Sequence, residues 1–316
     1  MLFWWSSGNP ANVKVVYALE KAKIILDTDL GSDCDDAGAL ALLHRMADAG
    51  KAEILAVTHC ASEISGAVTV KMINEFYGRA DVPVGRYEES VFLETPNCVK
   101  YTRPLMDKYL ETKPMPFIEN ATKLLRKTLA QNKNVRIVVI GMLNNIAELL
   151  KSQPDEISPL NGAELVVNSV KDMYVMGGNF KDLTYSEWNI SFATPSAQYV
   201  AKHFPRPITY CGFEIGETVL TGSRLEEKAA DNPVRFAYDV HLKIEKSTVF
   251  KSSSWDPITV YCAVEENTLL YEKSEGVGIY FDDRGCVILE KGGKDCYLIA
   301  KATDQEVEKE IDFWLN

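Results

Sequence analysis

The sequence predicts an α/β fold in which a mostly parallel central sheet is flanked by helices within a single domain. Two observations predict it. Short runs rich in β-branched residues alternate with helical stretches down the chain, the pattern of a parallel sheet covered on both faces. No stretch has the composition of an interdomain linker, so 316 residues are read as one domain although a prior of about 150 residues per domain would give two. Residues 1–22 are read as an N-terminal extension and residues 23–316 as the domain.

In chain order, the apolar run Ile24, Ile25, Leu26 ends in acidic and glycine residues and is a strand. The next stretch, Asp36 to Ala49, has Ala37, Leu40, Ala41, Leu43 and Met46 at helical spacing. The same grammar gives a strand at Glu53 to Thr58, a helix at Ser65 to Tyr77 and a strand at Val82 to Gly85. Glu88 to Pro116, with Pro96, Pro104, Pro114 and Pro116, reads as a long loop or lid. Val135 to Ile140 is a strand, Asn145 to Leu150 a helix, and strands follow at Asp172 to Met176 and Pro207 to Tyr210. A helix at Asn232 to Glu245 leads into an exposed serine-rich loop, Lys246 to Ser254. In such folds ligands sit outside the carboxyl ends of the strands.

Composition narrows the chemistry. A chain of this length buries roughly 75% of its unfolded surface, so a metal would serve function rather than staple the core. Lys+Arg 34 against Asp+Glu 45 gives −11, a field that repels polyphosphate, and no basic patch offsets it, so no nucleic-acid partner is expected. Seven scattered cysteines without CxxC imply reduced thiols in a cytoplasmic protein. Four dispersed histidines offer no zinc site. The apolar run Leu2 to Trp5 is too short for a signal peptide, and no apolar run reaches about 18 residues, so no membrane association is expected.

The sharpest feature is the stretch Asp27 to Asp36, with Asp27, Asp29, Asp33, Asp35 and Asp36 where a strand empties into a helix. These carboxylates repel one another unless a hard cation taking six to eight oxygen ligands neutralises them. One of Asp35 and Asp36 is also expected to cap the helix. The spacing fails an EF-hand, because Gly31, Ser32 and Gly38 fall where an acid, a glycine and a glutamate are needed. A haloacid-dehalogenase-type phosphotransferase would use Asp27 and Asp29, but its motif continues Gly-Thr where this chain has Leu30-Gly31.

Ile25 to Asp29 together with Asp35-Asp36-Ala37 resembles the amino-terminal signature of the nucleoside hydrolase family, inosine-uridine-preferring type. Gly141 to Asn145 resembles the family's Gly-Pro-Leu-Thr-Asn turn. Met176-Gly177-Gly178 with Glu187-Trp188-Asn189 resembles its Met-Gly-Gly and Glu-aromatic-Asn elements, and Trp255-Asp256-Pro257 stands where its carboxy-terminal aspartate lies. The likeness spans about residues 23 to 315 and implies a Rossmann-like nucleoside hydrolase fold, in homodimers or homotetramers, acting in nucleoside salvage.

By this resemblance the activity is Ca²⁺-dependent hydrolysis of the N-glycosidic bond of ribonucleosides. Asp29, Asp36, Asp256 and the Asn144 carbonyl would hold the ion, Asp29 would be general base on the water, Asp35 would take a ribose hydroxyl, and Glu187 and Asn189 the 5′ side. On a strand Glu187 and Asn189 would share a face with Trp188 turned away. Asp256 before Pro257 is also placed to cap a helix. Asp27 is expected to buttress the loop. The segment Gly31 to Asp35 is two residues longer than the common family version, which leaves Asp33 and Asp35 both open for the ribose contact.

The departures bear on substrate. Trp255 stands where many members carry the histidine that protonates the leaving base, and His241 is the nearest histidine in sequence. Tryptophan at 255 and 188 resembles the purine-specific branch, so Trp255 is the expected base platform and purines the favoured substrates. Phe92 and Tyr101 are available as a second stacking partner. The family's asparagine after the second strand is missing from His59-Cys60-Ala61-Ser62. These losses leave open a calcium-dependent hydrolase of another N-ribosyl compound, or a non-catalytic sugar-binding homologue.

Overall fold

The computed structural model describes residues 21–316, so residues 1–20 of the expected extension lie outside the described residues. The elements run β1 (Ala22–Thr28), α1 (Asp35–Asp48), β2 (Ala52–His59), α2 (Ile64–Phe76), β3 (Val84–Arg86), α3 (Thr102–Leu110), β4 (Glu119–Asn120), α4 (Ala121–Gln131), β5 (Val135–Val139), α5 (Asn144–Lys151), α6 (Gly162–Ser169) and β6 (Val170–Met176). They continue with α7 (Trp188–Ser191), α8 (Thr194–His203), β7 (Ile208–Cys211), β8 (Leu220–Thr221), α9 (Pro233–Ile244), β9 (Ser252–Ser253), α10 (Trp255–Val264), β10 (Tyr271–Lys273), β11 (Val277–Phe281), β12 (Val287–Lys291), β13 (Cys296–Ala300) and α11 (Asp304–Leu315).

Nine strands form one sheet in the order β10-β13-β7-β6-β5-β1-β2-β3-β4, parallel except for the β10–β13 pair. The central strands are buried on both faces, which is why β1 and β5 read as nearly unbroken apolar runs. One apolar core, with Leu40, Leu43, Ile258 and Ile311, fills the space between the sheet and α1, α10 and α11. A second, with Leu125, Leu129, Ile146 and Val200, lies under α4, α5 and α8. Arg136 on β5 tolerates burial because its Nη2 donates to Oδ2 of Asp172 on β6 at 2.7 Å, directly across the ladder. Among the described residues no helix is long and apolar enough to cross a membrane.

The chain builds outward from β1 through β2 to β3, then returns to place β5 on the other side of β1. The strand order therefore reverses between β1 and β5, and a crevice opens outside their carboxyl ends. The acidic loop follows β1 and the Gly141 turn follows β5, so the two face each other across that crevice.

Two expectations about loops are corrected. The stretch 88–116 is not one long loop: a 3₁₀ turn at Pro96–Cys98 and α3 lie within it. Pro104 occupies the first turn of α3, where its missing N–H breaks no helical hydrogen bond, so the prolines mislead. The serine-rich loop ends in β9, which pairs with β8, and Ser254 is buried.

Candidate active site

The crevice holds a cavity of about 290 Å³ whose floor is acidic. Asp29, Asp35, Asp36, Asp256 and Glu187 all line it and are all buried, and Asp33 joins them from the loop. Their positions follow from where the elements end. Asp29 is the first residue beyond β1, and Asp35 and Asp36 are the first two residues of α1, where a helix N-terminus favours negative charge. Neither caps the helix, contrary to expectation: the N-cap position is Cys34, and no side chain caps it. Both carboxylates are instead turned elsewhere. Asp36 accepts a hydrogen bond from the Thr28 hydroxyl, and Asp35 Oδ2 accepts the Asp256 N–H at 3.2 Å, linking α1 to α10. Asp256 likewise does not cap its helix, because α10 begins one residue earlier and Ser254 occupies the N-cap position.

The floor is held from beneath. Asp27 does not line the cavity. Its Oδ2 accepts from the Thr58 hydroxyl on β2 and from Asn145 Nδ2 on α5 at 2.7 Å, as expected of a buttress. His59 sits between two carbonyls, Nε2 at 3.1 Å from Leu30 O and Nδ1 at 3.4 Å from Ala61 O, and burial lowers its pKa, so the ring supports the acidic loop from beneath. Gly141 is required by close approach, since a Cβ there would stand 2.8 Å from the Asp29 nitrogen. Asn144 opens α5 but does not line the cavity; its Nδ2 donates to the Cys60 carbonyl at 2.8 Å.

Glu187 and Asn189 enter from the far side of the floor. They do not lie on a strand: Glu187 is the N-cap of α7, a single helical turn. Its Oε1 accepts from Asn189 N at 2.8 Å, and its Oε2 from Ile190 N at 3.1 Å and Gly178 N at 3.2 Å. A carboxylate has about four acceptor sites, so Oε1 keeps one for a ligand. Asn189 Nδ2 donates to the Ile140 and Met176 carbonyls, both at 3.3 Å, which leaves Oδ1 as the atom able to meet a ligand hydroxyl. Trp188 does turn away from the interior and is 53% exposed at the cavity mouth.

Above the floor stands an aromatic wall. Trp255, the first residue of α10, stacks on Phe213 with ring centroids 5.3 Å apart, and its Nε1 donates to the Phe213 carbonyl at 2.8 Å. Phe213 in turn meets Tyr185 at 4.9 Å. Neither expected partner serves here: Tyr101 is fully buried in the core, and Phe92 packs between Tyr87 and Phe192. Phe213 was legible in principle, because it lies two residues beyond β7, at a carboxyl end of the sheet. Lys100 and His241, distant in sequence, complete the rim.

Burial dominates the electrostatics. Burial, and then the Asp33 carboxylate, push Asp29 up to about 8. Burial alone, against its own hydrogen bonds, raises Asp27 to about 7, and burial raises Glu187 to about 7. Asp35, Asp36 and Asp256 are raised well above the carboxylate range by burial and then by neighbouring carboxylates, Asp33 acting on all three. No ion pair among the described residues involves these floor carboxylates. Such a set ionises together only around a positive charge. Asp33, Asp35 and Asp36 offer ligand oxygens all within 4.8 Å of one another. An all-oxygen donor set with uncompensated buried carboxylates fits a hard divalent cation and suits zinc poorly. Asp33 belongs to this group although the ligand set read from the sequence omits it.

The profile of the family described as inosine-uridine preferring nucleoside hydrolase matches residues 24–312. No curated protein matches the sequence significantly. Among solved structures, a purine-preferring ribonucleoside hydrolase from Gardnerella vaginalis superposes with a TM-score of 0.70 at 18% identity, covering 93% of this chain and 98% of that one. An inosine-uridine preferring nucleoside hydrolase from Bacillus anthracis gives 0.68 at 15% identity, covering 93% and 99%. A plant nucleoside hydrolase gives 0.69 at 17% identity, covering 93% and 98%. At these identities the superpositions establish the shared fold.

Proposed function

The chain belongs to the inosine-uridine preferring nucleoside hydrolase family, and from that membership we propose that residues 23–316 catalyse Ca²⁺-dependent hydrolysis of ribonucleosides, purine nucleosides best, to free base and ribose. The observation that carries this reading is a single cavity that joins a floor of buried carboxylates to a wall of stacked aromatic rings. Sugar hydroxyls are donors and suit the first; a planar base suits the second.

Asp29, Asp36, Asp256 and the Asn144 carbonyl would hold the ion, with Asp33 close enough to take part. Bound there, a cation polarises sugar hydroxyls and makes a water more acidic. Asp29 takes a proton from the attacking water, a role that its place in the cavity floor at the end of β1 suits. As the C1′–N bond breaks, its electron pair leaves with the base nitrogen, which takes a proton from solvent water, and the oxygen of the attacking water bonds to C1′. The cationic ribosyl character of the transition state is stabilised by the carboxylates around it. Asp35 accepts from a ribose hydroxyl. Glu187 Oε1 and Asn189 Oδ1, the two acceptors that local bonding leaves available, hold the 5′ hydroxyl. Trp255 carries the base, and Phe213 and Tyr185 extend the platform to the width of a purine.

A reducing-sugar assay over inosine, adenosine, guanosine, uridine and cytidine, with and without EDTA, tests the reading. Ribose released from purine nucleosides, abolished by chelation and restored by Ca²⁺, is expected. No ribose from any nucleoside overturns the activity, and full turnover after metal removal verified by elemental analysis overturns the cation dependence.

A further inference from the structure

Among the described residues Lys100 is the only lysine or arginine that lines the cavity, and it sits on the rim rather than in the floor. None of the ion pairs among the described residues includes it, so its charge is not spent on the carboxylates below. Its backbone is nevertheless anchored to the acidic loop: Lys100 N donates to the Gly31 carbonyl at 3.1 Å. The contact is close enough that a Cβ on Gly31 would lie 2.2 Å from the Cys98 carbonyl, and Gly31 has φ +143, a conformation side chains rarely adopt. The strap 96–100 is thereby held at a fixed position against the floor. His241, whose Nδ1 has no hydrogen-bond partner, also lines the cavity. Among the described residues Lys100 is thus the one cationic donor in a cavity that also carries the aromatic wall.

Resting on the nucleosidase reading above, we propose that Lys100 determines base specificity, favouring leaving bases that turn a carbonyl oxygen toward the rim over bases that turn an amino group there. An ammonium group has three donors and no acceptor. A 6-oxopurine presents O6 and N7 as acceptors on one edge, whereas a 6-aminopurine presents a donor at the same ring position. A carbonyl meets Lys100 with a charge-assisted hydrogen bond, while an amino group leaves both donors unpaired. Negative charge builds on the base as the C1′–N bond breaks and spreads to its carbonyl oxygen. The contact therefore strengthens in the transition state and acts on kcat/KM.

The test is kcat/KM of the Ca²⁺-loaded enzyme with inosine, adenosine and purine riboside, which lacks any group at the 6 position. Lys100→Met should lower the inosine value by about tenfold or more and leave the other two within about twofold, and Lys100→Arg should retain the inosine preference. Calcium affinity, read by titration calorimetry, should be unchanged in both variants. Equal losses on all three substrates, or weakened calcium binding, assign Lys100 to charge balance and overturn the proposal. A wild-type enzyme that hydrolyses none of the three overturns the nucleosidase reading itself, a result separable from either of those.

Discussion

The two ends of the cavity are built on opposite plans. At the floor every carboxylate that comes from a strand end or helix start is buried, and Asp35, Asp36 and Glu187 are tied by hydrogen bonds to another segment. At the wall, Tyr185 is 40% and Trp188 53% exposed, and the ring of Trp255 is located by one hydrogen bond and by stacking. The floor repeats what any ribosyl transfer requires, so it is preorganised. In the proposed reading the wall meets the variable half of the substrate, and its residues come from segments that follow β6 and β7, from α9, from the first turn of α10 and from the strap 96–100. Chemistry is placed on rigid element ends and selection mostly on connections.

Substitutions should separate the two ends. The largest effect is expected at the floor: Asp29→Asn should lower kcat by about 10² to 10⁴ with every nucleoside alike, as for loss of a general base. Turnover near wild type, or a loss that depends on the base, would break the division of labour. A smaller and base-dependent effect is expected at the wall. Trp255→Ala should cost about tenfold with purine nucleosides and less with pyrimidine ones, in line with the energy of an aromatic pair beyond its area. Equal losses would make the indole a packing residue.

The smallest effect concerns stability and pH. Asp27, Asp29 and Glu187 have folded-state pKa values near 7, 8 and 7, above those of an unfolded chain, so the metal-free fold holds more protons than its unfolded state. The stability these groups contribute is complete below about pH 4 and is lost as pH rises through 7 to 8. In the proposed site calcium binds the ionised forms, so the rise in Tm on adding Ca²⁺ should be larger at pH 8 than at pH 5. Scanning calorimetry at the two pH values checks this, and a rise that is larger at pH 5 would contradict a carboxylate-held ion.

The difference between the two ends also governs what the sequence discloses. Asp29, Asp35, Asp36, Glu187, Asn189, Trp255 and Asp256 are all brought to one cavity, because the floor is assembled from short contiguous motifs at element ends. Asn144 is not among its lining residues. Tyr185, Lys100 and His241 carry no local pattern, and Phe213 carries only its place just beyond β7. The parallel sheet is legible in the apolar runs of β1, β2, β5 and β6. The antiparallel edge strand β10 and the β11–β12 hairpin are not legible, since short half-exposed strands lack a continuous apolar run. α3 is hidden because Pro104 falls in its first turn, where a proline costs no hydrogen bond, and Asp35 and Asp36 stand at a helix N-terminus that here presents charge to the cavity instead of being capped by it.

Trp255 and Asp256 are consecutive on the first turn of α10, so a single peptide unit carries one residue of the wall and one of the floor. Adjacent helical side chains diverge by about 100°, enough to send the indole and the carboxylate to different halves of one substrate, yet no rotation of that turn can move one without the other. In the proposed roles, base preference and hold on the cation are mechanically geared at this joint. Divergence toward a new base is then least disruptive through Phe213, Tyr185 or Lys100, which hang from separate connections, and most disruptive through Trp255.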